Sequence, residues 1–405
     1  MTLTRLVWAF IRRRPATWVF HVLLLAVAVA ITVSVLLVRQ AADARLTRDL
    51  AGVDLVVGAS GSPLQLVTSA VFQADVPTGN IPWVVAEQIA RDPLVRRAVP
   101  LSMGDSLGAY RIVGTTRDYA ALQDLRLDDG RWWGREMEAV LGATVARRMG
   151  LAVGDSFVGA HGLEGGDQEH ADRPYRVVGV LRPSGAVADR LVLTDLSSVW
   201  SLHEAEPVEA VEGGAHDHDH ASEPQTHREV TAVLVQYQSA LGAVMLPPRL
   251  GRLAGVQTAS PPREAQRLNA MIGDGAAMMT RLGGLLLALA AGGFVLALTT
   301  AVRARRRELA LLKALGASSA RLASVVLLEG GALGLAGGFA GLVLGRGLAW
   351  GVAQSNAAPF SLTLPSMGGL DALVILASVA LGLIGSAPGV WLAICTDPVD
   401  ELQGR

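Results

Sequence analysis

Cysteine is almost missing from this chain: Cys395 is the only one in 405 residues. A single thiol cannot close an internal disulfide, so any domain outside a membrane must be held by its own core, and cysteine usage leaves the redox compartment open. Lysine is as scarce, with Lys313 alone, and acidic and basic residues nearly cancel to a net charge of −1. That balance excludes the basic footprint of a nucleic-acid-binding protein, and no nucleic-acid partner is expected. No Gly-x-x-x-x-Gly-Lys-Ser/Thr loop occurs, because Lys313 lacks the glycines and hydroxyl around it. ATP binding by that device is therefore excluded. Gly58 to Ser62 reads Gly-Ala-Ser-Gly-Ser rather than the Gly-x-Ser-x-Gly of a nucleophile elbow, and no catalytic residue or enzymatic role is expected.

What is present is apolar: 51% of residues are hydrophobic, only 18% are charged, and there are 45 glycines. The pattern predicts an integral membrane α-helical protein with four transmembrane helices and a large α+β extracytoplasmic domain inserted between helices 1 and 2. Residues 1–16 form a cytoplasmic amphipathic segment, with Trp8 and Phe10 among Arg5, Arg12, Arg13 and Arg14. Helix 1 covers 17–38, enough to cross roughly 30 Å of hydrocarbon. Arg39-Gln40 follows it where a signal peptide would carry a small-residue cleavage site. Residues 39–281 are the outer domain, with stalk helices at both ends and a His-rich loop at 204–228. Helix 2 is 282–302, helix 3 is 322–348 and helix 4 is 370–394, with an outer loop at 349–369 and a cytoplasmic tail at 395–405. Within the domain, strands are expected at Asp54–Val57, Tyr110–Val113, Tyr175–Leu181, Arg190–Leu193 and Val230–Tyr237. Helical patterns cover Trp83–Arg97, Ala139–Met149, Ser197–His203 and Pro261–Met279.

The connection 303–321 holds five arginines and the only lysine. The positive-inside bias places it, and with it both termini, in the cytoplasm. Glu308 to Leu315 is made of helix formers, Gly316 can supply a left-handed cap, and Ser318 or Ser319 can cap the next helix. Such a helix offers Leu309, Leu312 and Leu315 either to lipid, as a plain interfacial turn, or to a cytoplasmic partner as a docking helix.

Helix 3 carries two glycine rows at four-residue spacing, Gly330, Gly334 and Gly338 beside Gly337, Gly341 and Gly345. Small residues so spaced let helix backbones approach closely in lipid, within one subunit or across a dimer. Glu329 is a carboxylate inside a span and should face protein or water, with a structural donor favoured over ion conduction. Seven of the eight histidines fall in the outer region, four of them, His216, His218, His220 and His227, on one acidic, flexible segment. Imidazoles alternating with carboxylates suit zinc, copper or nickel, and His161 and His170 could add ligands, so this loop is a candidate site for capturing a metal such as zinc; the plainer reading is a solvated polar loop.

The block Arg306-Arg307-Glu308-Leu309-Ala310-Leu311-Leu312-Lys313-Ala314-Leu315-Gly316-Ala317-Ser318, set after an apolar span, resembles the MacB/FtsX-type (type VII) permeases of ABC transporters. Asp397-Pro398-Val399-Asp400-Glu401-Leu402 is similar to that family's closing proline-leucine motif. Val140-Leu141-Gly142, Leu151-Ala152-Val153-Gly154-Asp155 and Tyr175-Arg176-Val177-Val178-Gly179-Val180 resemble its periplasmic core domain. The resemblance implies a stand-alone permease subunit of the bacterial cytoplasmic (inner) membrane, similar in layout to the lipoprotein-releasing permeases. It implies a homodimer or heterodimer with a second permease chain, surrounded by membrane lipid and driven by a separate cytoplasmic ABC ATPase. ATP then acts through that partner, and this chain binds no cofactor directly unless the histidine loop takes zinc. Arg306, Arg307, Glu308, Leu309, Leu312, Lys313, Leu315 and Gly316 become the implied ATPase-coupling residues. ATP hydrolysis is implied to move the outer domain mechanically, on a lipoprotein, peptide or metal-linked substrate or a periplasmic partner. An FtsX-like regulatory module that activates an envelope enzyme or senses a ligand, without transport, is the other reading. Asp54–Thr68 and Pro77–Pro82 look like a branch of stand-alone permeases, some with histidine-rich loops.

Overall fold

The computed structural model describes residues 12, 15–161, 173–203, 228–304, 310–311, 313–354 and 364–395. They fall into two compact units, one of residues 1–43 with 272–405 and one of residues 44–271.

Helix α1 (Pro15–Asp49) is unbroken over 35 residues, since no glycine or proline follows Pro15 within it. In the outer unit come β1 (Leu55–Ala59), α2 (Pro63–Ala70), β2 (Ile81–Pro82), α3 (Trp83–Ala90), β3 (Val95–Leu107), β4 (Tyr110–Thr115), α4 (Asp118–Leu122), β5 (Leu127–Gly130) and β6 (Glu138–Leu141). Then follow α5 (Ala143–Met149), β7 (Ser156–Phe157), β8 (Ala160–His161), β9 (Tyr175–Leu181), β10 (Val192–Asp195), α6 (Leu196–His203), β11 (Glu229–Val230), β12 (Ala232–Tyr237), α7 (Ala240–Leu250) and β13 (Val256–Ala259). The main sheet runs β13-β1-β12-β3-β4-β10-β6-β9-β5, with β7 added to β9 and β8 to β3. Its pairs are antiparallel except β4 with β10 and β6 with β9. Strand β1 lies between β12 and β13, and its Leu55, Val56 and Val57 are buried, as an apolar run covered on both faces should be. Two apolar clusters hold the unit: Leu55, Val57, Ile81, Ile89 and Val233 in one, Ile112, Leu141, Val145, Tyr175 and Val192 in the other.

Several expected boundaries move. The helical pattern at 83–97 stops at Ala90, because the Asp92 carboxylate and carbonyl accept the Leu94 and Val95 amides and turn the chain. Val95 then opens β3, at 13 residues the longest strand described. The pattern at 139–149 begins as β6; Gly142 gives its N–H to the Leu191 carbonyl, and only from Ala143 does the chain coil. The strand expected at Arg190 starts at Val192, since 187–190 is a 3₁₀ turn.

The remaining helices are α8 (Pro261–Ala304), α9 (Ser319–Gln354) and α10 (Gly369–Cys395). Among the described residues, α1, α9 and α10 are long and apolar enough to cross a membrane, while α8 carries a shorter apolar stretch, Arg281–Gly293. Leu25, Val29, Val33 and Leu37 share one face of α1 and are buried with Leu342 and Ala349 of α9, the i, i+4 spacing of a packed stripe.

Candidate functional site

The turn between α8 and α9 is built from short-range bonds. Residues 310–311 and 313–314 are helical; Leu315 gives its N–H to the Leu311 carbonyl, and Gly316 follows at φ +94°, a left-handed geometry that suits glycine at a helix end. Ser318 Oγ accepts the Arg321 amide at 3.3 Å and opens α9. Ala310 is fully buried, whereas Leu311 is 51% and Leu315 83% exposed. Lys313 Nζ donates to the Ile394 carbonyl at 3.1 Å, placing a positive charge at the carbonyl end of α10, where the helix dipole favours it. Val302, Leu322, Val326 and Ala393 pack as one cluster in the same unit. Of the residues expected to couple to an ATPase, Lys313, Leu315 and Gly316 belong to this turn. Arg306, Arg307, Glu308, Leu309 and Leu312 lie outside the described residues.

The two glycine rows of α9 meet two different helices. A Cβ added at Gly330 would lie 2.9 Å from the Ser386 Cβ, and one at Gly338 would lie 2.6 Å from the Ser378 Cβ, both on α10. Gly334 abuts the Ser378 carbonyl. On the other row, a Cβ at Gly341 would come 2.6 Å from the Val29 Cβ, and one at Gly345 would come 2.8 Å from the Ala30 carbonyl, both on α1; Gly337 faces Leu25 of the same helix. These close approaches lie within one chain. Glu329 is buried, 9% exposed, on α9.

A second ionic group on the long apolar helices was not singled out by the sequence pattern. Arg346 of α9 reaches Asp371 in the first turn of α10 with Nε to Oδ1 at 3.0 Å and Nη2 to Oδ2 at 2.8 Å. Its remaining donors bond the Pro365 and Ser366 carbonyls, and the Gly368 amide donates to Asp371 Oδ2. Two opposite charges at the same end of neighbouring apolar runs were the available signal, and Asp371 joins Glu329 as a carboxylate within the apolar helices.

In the outer unit, the end of α1 is fastened by polar groups. Asp49 is 1% and Arg45 4% exposed. Asp49 Oδ1 accepts the Val187 amide at 2.7 Å, and its Oδ2 accepts from Arg45 Nε at 3.2 Å. Burial, and after it the neighbouring Arg45 charge, pulls the Arg190 guanidinium down to about 10, against the opposing pull of Asp49. The Asp189 carboxylate binds the Ser184 amide and hydroxyl and the Gly185 amide at 2.8 to 2.9 Å, closing the turn ahead of Val187.

The histidines His216, His218, His220 and His227 lie outside the described residues. Among the described residues, no three His, Cys, Asp or Glu side chains gather as a metal set. The chain flanking them is placed: Arg173 Nη1 donates to the Ser201 carbonyl of α6 at 3.0 Å. Arg173 and Ser201, on chain that flanks the undescribed residues 162–172 and 204–227, are therefore neighbours.

The profile of the MacB-like periplasmic core domain matches residues 19–273, and that of the FtsX-like permease C-terminal domain matches residues 282–397. The chain belongs to the MacB/FtsX-type permeases of ABC transporters. As a member of that family it is a multi-pass inner-membrane permease component, and permeases of this kind work with a cytoplasmic ABC ATPase. Among solved structures, the periplasmic region of MacB from Actinobacillus actinomycetemcomitans is 12% identical, at a TM-score of 0.35, over 54% of this chain and 95% of that one. The extracellular domain of the noncanonic ABC-type transporter YknZ from Gram-positive bacteria is also 12% identical, at 0.31, over 51% of the permease and 99% of that chain. No curated protein matches the permease in sequence.

Proposed function

We propose that this permease converts ATP hydrolysis by a separate cytoplasmic ABC ATPase into mechanical movement of its outer domain, acting there on a lipoprotein, peptide or metal-linked substrate. The observation that carries this reading is the turn before α9. It exposes Leu311 and Leu315 beside a buried Ala310, while Lys313 bonds the end of α10. Exposed leucines one helical turn apart, on a turn tied to its neighbouring helix, make a surface that a partner can cover and push against. In this reading residues 282–302 of α8 are the fourth span, and 303–321 and both termini face the cytoplasm, as the arginine excess favours. A second permease chain completes the complex through faces other than the two glycine rows, which α1 and α10 already fill.

Leu315→Asp and Gly316→Pro test the coupling surface in the full chain. Both variants are expected to insert in the membrane yet fail to retain the ATPase in a tagged pull-down. Wild-type association with normal stimulation of ATP turnover defeats the assignment.

The histidine segment is proposed to capture zinc, supported by the alternation of His216, His218 and His220 with aspartates. Zinc calorimetry on the full chain, with and without residues 216–227, is expected to lose the binding heat on deletion. Equal heats remove the segment from the site.

A further inference from the structure

The chain connects both stalks to the same border of the outer sheet. Helix α1 leads into β1 and β13 leads into α8, and β1 and β13 are neighbours at one end of the strand order. If force passed only through these covalent links, it would enter at β1 and β13, one border of the sheet, and from α1 it would cross a turn that contains Gly52 at φ +77°. The five residues 50–54 that make this link are held by short-range bonds, from the Ala51 amide to the Arg48 carbonyl and from the Val53 amide to the Leu50 carbonyl.

The Asp49 carboxylate bypasses that turn. Its hydrogen bond from the Val187 amide, at 2.7 Å, reaches the 3₁₀ turn that joins β9 to β10, strands that lie well across the sheet from β1. That turn is stiff. Asp189 closes it with three hydrogen bonds, Gly142 donates to the Leu191 carbonyl just after it, and a side chain at Gly142 would strike the Asp189 backbone. The α1 end of the contact is stiff as well, since Arg45 and Asp49 are paired one helical turn apart and both are buried. Apolar surfaces can slide past one another; a buried, charge-assisted hydrogen bond has a direction and resists both axial pull and rotation.

We propose that Asp49, with Arg45 and the Val187 amide, is the joint through which α1 grips the β9–β10 turn and moves the outer sheet as one body. Asp49 is thus a positioning residue, and its role rests on the mechanical coupling proposed above. Losing the carboxylate alone removes the ion-pair partner of buried Arg45, so the informative variant removes the pair together, as Arg45→Leu with Asp49→Leu. Asp49→Asn is the companion, because its side-chain carbonyl still accepts the Val187 amide.

The experiment uses the full permease with its ATPase in nanodiscs and follows amide hydrogen exchange with and without a non-hydrolysable ATP analogue. In the wild type, nucleotide is expected to change exchange both in residues 310–321 and in residues 184–195. The double-leucine variant is expected to keep the first change and lose the second, while Asp49→Asn keeps both. A purely structural role would raise exchange equally with and without nucleotide, and that result overturns the joint. An unchanged nucleotide response at 184–195 in the double variant overturns it too. No nucleotide response anywhere in the wild-type outer domain sinks the coupling reading itself, and the joint with it.

Discussion

Glu138 holds the outer unit's clearest titratable contact. Arg131 binds it through two nitrogens, at 2.8 and 2.5 Å, and the Gly134 amide adds a third bond at 2.8 Å. The Arg131 hydrogen bonds, helped by that amide and opposed by partial burial, bring the carboxyl down to about 2. Its folded value lies below its unfolded one, so its contribution is fully present above the ordinary glutamate range and fades as pH falls toward 2. Because water screens Arg131, the contribution to stability is small. Thermal unfolding of residues 44–271 should show wild type above Glu138→Gln at neutral pH, with the gap closing as the solution is acidified below about pH 4. A gap that stays constant as the pH falls from about 4 toward 2 assigns the difference to packing. The Arg45 and Asp49 pair shows where sequence falls short at this scale. An Arg and Asp four apart on a helix normally mark a solvated face; only the amide of Val187, 138 positions away, turns the pair into a buried group.

Among the elements, α9 was the most legible and β3 the least. Glycine spacing in α9 follows directly from the 3.6-residue repeat, and the rows it predicts lie against α10 and α1. What spacing could not supply was the identity of the neighbours, which depends on how four helices are arranged. For β3, residues 83–97 hold a helical period through Arg97 that local pattern cannot distinguish from a helix, a turn and the start of a strand. The sheet decides, because Val99 and Leu101 are buried and pair with β12, and Leu101 pairs with β4 as well. The same packing gives a test. Gly341→Val forces side-chain atoms against Val29 and the Ala26 carbonyl, and overpacking of this kind costs about 1–3 kcal/mol. Gly347, one turn and a half further on, has no atom of the described residues within 4 Å of an added Cβ. In detergent, Gly341→Val should lower the thermal midpoint by several degrees and Gly347→Ala should leave it in place. Equal midpoints would deny the α1–α9 contact its role in holding the membrane unit.

For the whole molecule, the deciding quantity is the parity of the spans. Helices α1, α9 and α10 qualify by length and apolarity, and α8 is the one whose crossing fixes the rest. If residues 282–302 cross, the chain leaves for the outer domain and returns through the same bilayer, so the turn after α8 lies opposite that domain and can meet an ATPase. If they do not, the turn and the domain share a side, and no cytoplasmic partner could reach Leu311 and Leu315 while the domain worked outside. The near-absence of cysteine makes this measurable, because replacing Cys395 by serine leaves no native thiol. Single cysteines at Glu136, exposed in the outer unit, and at Ala314, exposed in the turn, then report the two locations. A membrane-impermeant maleimide should modify Glu136→Cys but not Ala314→Cys in spheroplasts, and the reverse in inverted vesicles. Modification of both positions from one side would place α8 outside the set of spans and remove the basis for coupling through the turn, whatever the fate of the individual contacts.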